Sequence, residues 1–335
     1  MSFHEVIAAG EDERFETLAL RMRDMQRARA KKRGMTLRAL HTKQHVGVAG
    51  TLEVTAPVEL RKGVFSEPKS WPVYARFSNG SGGRQPDSRP DVRGIGIKLV
   101  GVEGKKLIPG LEEKRTQDFL FIGNPAIPVR TPDEFLELVD AMKDGPAKAL
   151  PRLAASLGVV RTLQVLRRVA GTAKITSMAT APFYTAAPIS FGDSAAKLGL
   201  FPISPAQRPA ARGEHALRDD LIARLEAGPL SWSLRAQLFL DDERTPIEDA
   251  SVVWPEGASP YREVAKLTLP RQDPGTPEGR ELSELVESLS FDPWHSLEAH
   301  RPLGAIMRAR AVAYKHSVLE RGAADEPESV RGLPE

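Results

Sequence analysis

The spacing of hydrophobic residues changes along the chain from a helical period to a strand-like one. Between residues 11 and 33, Phe15, Leu18, Met22 and Met25 recur at helical spacing among many charges. Residues 46–122 instead contain four short β-prone runs, VGVAGTLEV, WPVYARFSNG, VRGIGIKLV and TQDFLFIG, separated by connectors rich in Gly, Pro and Asp. This order predicts an N-terminal helical arm over residues 1–34, followed by an antiparallel meander or barrel.

Alternation within the second of these runs gives its strand two different faces. In VYARFS the apolar side chains fall on one face, and Tyr74, Arg76 and Ser78 fall on the other. Strand signals return at FYTAAPISFG, in the alternating run WSLRAQLFL and at YREVAKLTL. The strand-rich part of the chain therefore extends to about residue 269.

A helical segment interrupts the strands between residues 131 and 180. Thr131 fits an N-cap, with Pro132 at the first helical position and Glu134 completing a capping box. A second helix is predicted over residues 151–170. We expect it to pack against the barrel through an apolar stripe, formed by Leu153, Leu157, Val160, Leu163, Leu166 and Val169. Its basic face leaves open a helix that lies on a membrane surface. Further helices are predicted over 276–290 and 302–320, and the polar residues 322–335 predict a flexible tail.

Composition excludes several classes of site and partner. The 335 residues include 47 basic and 44 acidic side chains, and no dense basic block indicates nucleic-acid binding. The absence of cysteine excludes disulfides, thiolate nucleophiles and Cys-ligated metal sites. No apolar run approaches membrane-spanning length, and the charged N-terminus lacks the features of a signal peptide. We therefore expect a cytoplasmic protein with no membrane span.

Three local patterns are ambiguous when each is taken alone. GIGIKLVG has glycines spaced as in a nucleotide-binding turn, but its apolar residues continue a strand instead of opening a helix. His41 and His45 lack a third ligand at metal-binding spacing. Arg310 precedes Tyr314 by four residues, which on a helix brings the guanidinium near the hydroxyl. By itself this last pair is typical of a surface arginine over a half-buried tyrosine.

Taken in order, however, the motifs of the chain form a series. The series is RALHTKQHVGVAGTLEV, RFSNG, DVRGIGIKL, TQDFLFIGNP, VVWP, SFDP and RPLGAIMRARAVAY. It resembles the haem catalases, and most of all the short catalase-core relatives that act as haem peroxidases. The resemblance runs from about Arg38 to Arg321, interrupted by the helical segment 131–180. It implies an α+β fold, a catalase-like antiparallel β-barrel with flanking helices, and a haem-binding domain over residues 35–321.

The resemblance also implies which residues hold the cofactor, haem b (iron protoporphyrin IX). Tyr314 would be the proximal ligand of the iron. Arg310 would favour the phenolate form, which matters because an ordinary tyrosine has a pKa of about 10. Tyrosine is an axial ligand known for catalase-type haem. Arg38, Arg76 and Arg321 would pair with the haem propionates, because buried carboxylates need charged donors.

On the distal side of the haem, the resemblance implies a proton-transferring residue and its support. His41 would take a proton from one peroxide oxygen and return it to the other, and Ser78 would hold the imidazole ring in place. His45 is the rival within the same motif, although its spacing from the arginine is wrong. In catalases a distal asparagine lies two positions before a proline. Here Gly123 occupies that position, and Asn124 directly precedes the proline.

Two departures from the catalase pattern shape the expected function. Ile127 and Pro128 replace an aromatic pair, and the long N-terminal arm and C-terminal helical region of full-length catalases are missing. We therefore expect a haem peroxidase that reduces hydrogen peroxide or organic hydroperoxides with a small organic electron donor and has weak catalase activity. One alternative is a lipid-hydroperoxide rearranging enzyme of the allene oxide synthase kind. The other is a non-enzymatic haem-binding protein, which would not need His41 and Ser78. The sequence leaves a homodimer open.

Overall fold

The computed structural model describes residues 3–81, 85–89, 91–141, 146–170, 174–203 and 212–333. The strands in these residues form one antiparallel sheet that closes on itself. Around the barrel they follow the order β1 (Lys43–Val54), β2 (Ser70–Asn79), β3 (Arg93–Val100), β4 (Thr116–Ile122), β5 (Phe183–Tyr184), β7 (Ser194–Pro202), β8 (Leu230–Leu238) and β9 (Arg262–Leu269), which pairs with β1. The short β6 (Ile189–Phe191) pairs with the start of β7, alongside β5. The expected antiparallel barrel is confirmed.

Alternating residues of the strands fill the barrel with apolar side chains. Ala75 of β2 pairs with Ile97 of β3, which in turn pairs with Phe119 of β4, and all three are buried in the main hydrophobic core. Removal of such side chains from water stabilises the fold by about 25 cal/mol per Å² of apolar surface. The intervening residues point outward, so Arg76 and Ser78 lie on the outer face of β2, as the alternation predicts.

Helices cover the outside of the barrel. They are α1 (Glu11–Arg33), α2 (Pro132–Ala141), α3 (Pro146–Leu157), α4 (Val159–Ala170), α5 (Ala216–Ala227), α6 (Pro277–Ser288) and α7 (Ala305–Arg321). Helix α1 has the predicted bounds and lies along α7, where Arg27 forms an ion pair with Glu320 at 2.8 Å. Among the described helices, none combines the length and the apolar character that crossing a bilayer requires.

The helix predicted over residues 151–170 is two helices instead of one. Gly158 separates α3 from α4 with a φ of 77°, a left-handed conformation that glycine adopts without steric cost. Leu153 is buried as expected and Leu166 packs against the same hydrophobic cluster, but Val160 and Leu163 of the predicted stripe are exposed. The break changes which face of α4 is buried. The prediction of one continuous apolar stripe across residue 158 is therefore wrong for Val160 and Leu163.

Residues 322–333 lie against the barrel. The Ala324 amide donates to the Ser288 carbonyl at 3.0 Å, and Glu326 forms an ion pair with the buried Lys98 at 2.6 Å. The Arg331 amide donates to the Tyr74 hydroxyl at 2.9 Å. The flexibility predicted for residues 322–335 stays a prediction.

Candidate functional site

A cavity lies between the outer face of strands β2–β4 and one face of helix α7. Its walls combine the segment before β1, the three strands, the residues after α6 and helix α7. Residues that are far apart in the sequence therefore meet in one place. Seven of the eight site residues predicted from the sequence line this cavity: Arg38, His41, Arg76, Ser78, Arg310, Tyr314 and Arg321.

Helix α7 presents its three predicted site residues on one face. Arg310, Tyr314 and Arg321 are separated by four and then seven residues, which returns each side chain to nearly the same direction. Arg310 Nη2 donates to Tyr314 Oη at 2.9 Å, and the guanidinium lies 5.2 Å from the centre of the tyrosine ring. The contact predicted from the i, i+4 spacing is confirmed. The tyrosine oxygen thus faces the cavity with a charge-assisted hydrogen bond from the guanidinium.

His41 is held in a backbone conformation that few residues adopt. Its φ is 54°, and Ala186 is the only other non-glycine residue with a positive φ in the described part of the chain. The His41 carbonyl accepts from Arg76 Nη2 at 2.9 Å, and the imidazole Nδ1 lies 2.9 Å from Ser78 Oγ. Such backbone strain costs about 1–3 kcal/mol and is concentrated at functional sites.

The surroundings of His41 keep its imidazole neutral. Burial, together with the guanidinium groups of Arg76, Arg310 and Arg38, lowers the pKa of His41 to about 3. A neutral imidazole has a lone pair that can accept a proton at pH 7. In the tautomer in which Nδ1–H donates to Ser78 Oγ, that role falls to Nε2.

Three arginines surround one carboxylate at the edge of the cavity. Arg76 Nε donates to Glu287 Oε2 at 2.8 Å, and Arg38 Nε lies 3.5 Å from Glu287 Oε1 without a hydrogen-bond partner. Arg38 and Arg321 donate to the Leu289 carbonyl at 2.7 and 2.9 Å. Burial and the neighbouring guanidinium groups hold the pKa of Arg38 well below its usual value. Three cations and one anion leave an excess of two positive charges, which suits a ligand with two negative charges.

Two glycines keep the barrel wall of the cavity flat. A Cβ atom at Gly94 would lie 2.5 Å from His41 Cε1, and one at Gly96 would lie 2.8 Å from Phe291 Cδ1. The two positions are on the same, outer face of β3 because one residue separates them. A side chain at either position would displace a wall residue. A flat wall facing a row of arginines fits a planar group with an anionic edge.

His45 and Asn124 lie away from the residues that line the cavity. His45 is buried on β1, with Nε2 2.7 Å from Asn79 Oδ1 and Nδ1 3.8 Å from Asp87. It belongs to a polar network between strands, whereas His41 faces the cavity. Asn124 is half-buried, and it is Ile122 and Ile127 that contribute to this wall. The catalytic roles assigned from the sequence, including that of Asn124, stay predictions.

The wall near Gly123 shows why an asparagine is disfavoured there. A Cβ atom at Gly123 would lie 2.4 Å from Ile175 Cδ1. Ile175 belongs to the segment 131–180, which the catalase resemblance does not cover. An asparagine at position 123 would therefore require Ile175 to move.

Comparisons with known proteins find both a similar sequence and similar folds. No protein-family model matches the chain. A curated protein of Mycolicibacterium paratuberculosis named catalase-related peroxidase is 25% identical over 315 residues, which cover 87% of this chain and 92% of the relative. The chain is thus similar in sequence, at low identity, to a catalase-related protein over most of its length.

Solved catalase structures share the fold of this chain. A fungal catalase matches with a TM-score of 0.68 at 20% identity, covering 88% of this chain and 61% of its own. Catalase A from Saccharomyces cerevisiae matches with a TM-score of 0.69 at 18% identity, covering 96% and 66%. A bacterial catalase gives 0.67 at 16% identity, covering 88% and 59%. The chain thus spans less than two thirds of the length of these catalases.

Several residues of the site were not singled out from the sequence. Glu287 follows no recognisable motif, and only the folded chain brings it beside the arginines. Phe291 lies in the motif SFDP and lines the cavity. Gly94 and Gly96 alternate in GIGI, and this alternation signals a strand face without side chains. This alternation is the one sequence signal that predicts the flat wall of the cavity.

Proposed function

We propose that the chain is a haem b peroxidase that reduces hydrogen peroxide or organic hydroperoxides with a small organic electron donor. One observation carries this proposal: the Arg310–Tyr314 pair and the His41–Ser78 pair line the same cavity from different elements. A haem carrier needs the first pair but not the second. The neutral imidazole beside the cavity therefore supports an enzyme.

The residues of the cavity fit haem b in three respects. The excess of two positive charges around Glu287 matches the two propionates. Tyr314 offers an oxygen ligand next to a cationic donor, and tyrosine is an axial ligand known for catalase-type haem. The described residues contain no group of three or more His, Asp or Glu that could hold a metal alone, so a metal here needs a cofactor that supplies further ligands. Bound haem supplies a redox-active iron that accepts the oxidising equivalents of the peroxide.

Pairing of Arg76 and Arg38 with anionic groups would make His41 a better base. Arg76 and Arg38 contribute to its lowered pKa, after burial, and both are residues that would pair with the propionates. Carboxylates paired with those guanidinium groups would raise the pKa of His41 toward its ordinary value. When Nδ1–H donates to Ser78 Oγ, the lone pair of the imidazole lies on Nε2. Nε2 then takes a proton from one peroxide oxygen and delivers it to the other, so that water or an alcohol leaves.

The aliphatic wall supports larger peroxides as substrates. Leu120, Ile122 and Ile127 line the cavity, and Gly123 contributes no side chain. Apolar walls bind apolar substituents well. They offer little to orient a second molecule of hydrogen peroxide, which dismutation requires. We therefore expect peroxidation to exceed oxygen release.

Steady-state assays on the haem-loaded protein test the proposal, with an oxygen electrode and a chromogenic phenol as donor. Hydrogen peroxide or cumene hydroperoxide should oxidise the phenol with little oxygen release. Vigorous oxygen release without phenol oxidation would indicate a true catalase. Conversion of a fatty-acid hydroperoxide in the absence of donor would indicate the rearranging class. Stoichiometric haem without any of these reactions would indicate a carrier.

A further inference from the structure

Helix α4 exposes a group of apolar side chains to solvent. Val159, Val160 and Leu163 are 66%, 72% and 57% exposed. Arg167 and Arg168 continue the same side of the helix and are also exposed. We call these five residues the α4 surface. Exposed apolar side chains in a group are a mark of an interaction site.

The α4 surface is one half of an amphipathic helix. The opposite half of α4 carries Val165, which is fully buried, and Leu166, which packs against the same hydrophobic cluster. Packing against the protein therefore fixes which half of the helix faces outward. The exposed half combines apolar residues at its N-terminal end with arginines at its C-terminal end. This is the composition of a helix that lies in a membrane interface.

The sequence around α4 carries positive charge alone. Residues 146–192 contain no Asp or Glu, but they contain the basic residues Lys148, Arg152, Arg161, Arg167, Arg168 and Lys174. Arg161 forms an ion pair with Glu134 of α2 at 2.6 Å, which neutralises its charge. The other acidic residues of α2 face α1, since Asp133 lies 3.6 Å from Arg14, and Glu137 and Asp140 contact Arg21. The charge of the α4 surface thus remains positive.

From this combination we propose that the α4 surface docks onto an anionic lipid bilayer. A second copy of the chain is a poor occupant, because a two-fold interface would bring Arg167 and Arg168 of both copies together. A stable protein partner normally covers about 800 Å² on each side, far more than three apolar side chains provide. A bilayer needs only a few inserted apolar side chains, and each nearby basic residue adds about 1 kcal/mol of attraction to anionic lipid.

Co-sedimentation of the full-length protein with vesicles tests this proposal without any peroxide. The vesicles contain either phosphatidylcholine alone or phosphatidylcholine with phosphatidylglycerol. Wild-type protein should bind the anionic vesicles, bind phosphatidylcholine alone weakly, and be released by salt. The double variants Val160→Glu/Leu163→Glu and Arg167→Glu/Arg168→Glu should each lower affinity for the anionic vesicles by about tenfold or more.

A matched control separates the α4 surface from the overall charge of the protein. Lys31→Glu/Lys32→Glu at the exposed end of α1 changes the net charge by the same amount as the arginine pair. It should leave vesicle binding close to wild type. The proposal is overturned if wild-type protein does not bind anionic vesicles, if either α4 double variant binds as well as wild type, or if the α1 variant loses binding equally. All the altered side chains are exposed, so each variant should unfold at the same urea concentration as wild type. A urea titration of every variant therefore shows whether a loss of vesicle binding reflects a loss of the fold.

Discussion

Replacement of His41 by alanine should slow the reaction with peroxide and leave haem binding intact. The imidazole faces the cavity and is neutral, so its loss removes the base that moves the peroxide proton. General acid–base assistance contributes about 10²–10⁴-fold, which corresponds to about 3–5 kcal/mol of activation free energy. Ser78→Ala removes only the contact that orients the ring. It should therefore cost about tenfold, the usual net value of one hydrogen bond.

Single-turnover mixing with cumene hydroperoxide measures this effect through the absorption bands of the haem-saturated protein. His45→Ala is the matched control, because it removes an imidazole four residues away that is buried and bonded to Asn79 at 2.7 Å. It should lower the free energy of unfolding by about 1–3 kcal/mol in a urea titration and leave the rate nearly unchanged. A crippled His45→Ala variant together with an active His41→Ala variant would refute this reasoning.

Three further predictions concern stability, the distal wall and pH. Lys98→Met leaves two buried carboxylates without their cation and should cost about 3–5 kcal/mol of unfolding free energy in urea, whereas an unchanged midpoint would show that the network is dispensable. Gly123→Asn should destabilise the protein through the contact with Ile175, and adding Ile175→Ala should recover stability and raise oxygen release at the electrode. Equal stability of the single variant and wild type would contradict this. Burial lowers the pKa of His300 from 6.5 to about 4 in the folded protein. As the pH falls from 6.5 to 4, the unfolded chain takes up a proton at this residue before the folded protein does, so about 3 kcal/mol of stability is lost. His300→Phe should lack this loss, and parallel pH curves would argue against it.

Some barrel strands, such as β2, were predictable because apolar and polar residues alternate in their own sequence. Alternation in VYARFS assigns Arg76 and Ser78 to the outer face, and the structure places them there. The spacing of Arg310 and Tyr314 predicts their hydrogen bond in the same way. Both inferences need only the geometry of one element. They therefore do not depend on which distant segments come together.

Features set by neighbouring segments were not predictable in this way. Helix α5 shows only one buried leucine per turn, at Leu217, Leu221 and Leu225, and this narrow stripe is a weak helical signal. Strand β7 is rich in alanine and glycine, and its extended form depends on pairing with β8. The helix break at Gly158 depends on how α4 packs, and the position of Glu287 depends on how α6 packs. Glu326 shows the same limit, since its partner Lys98 lies 228 residues away.

The spectrum of the Tyr314→Phe variant is the measurement that tests the central claim most directly. Wild-type protein titrated with haemin should bind one haem per chain, with the resonance Raman and absorption features of a high-spin ferric iron ligated by tyrosinate. Tyr314→Phe should lose those features and most of its haem affinity. Arg310→Ala should retain haem with shifted charge-transfer bands, because the phenolate loses its cationic donor. A Tyr314→Phe protein whose haem content and spectrum equal those of wild type would contradict the account.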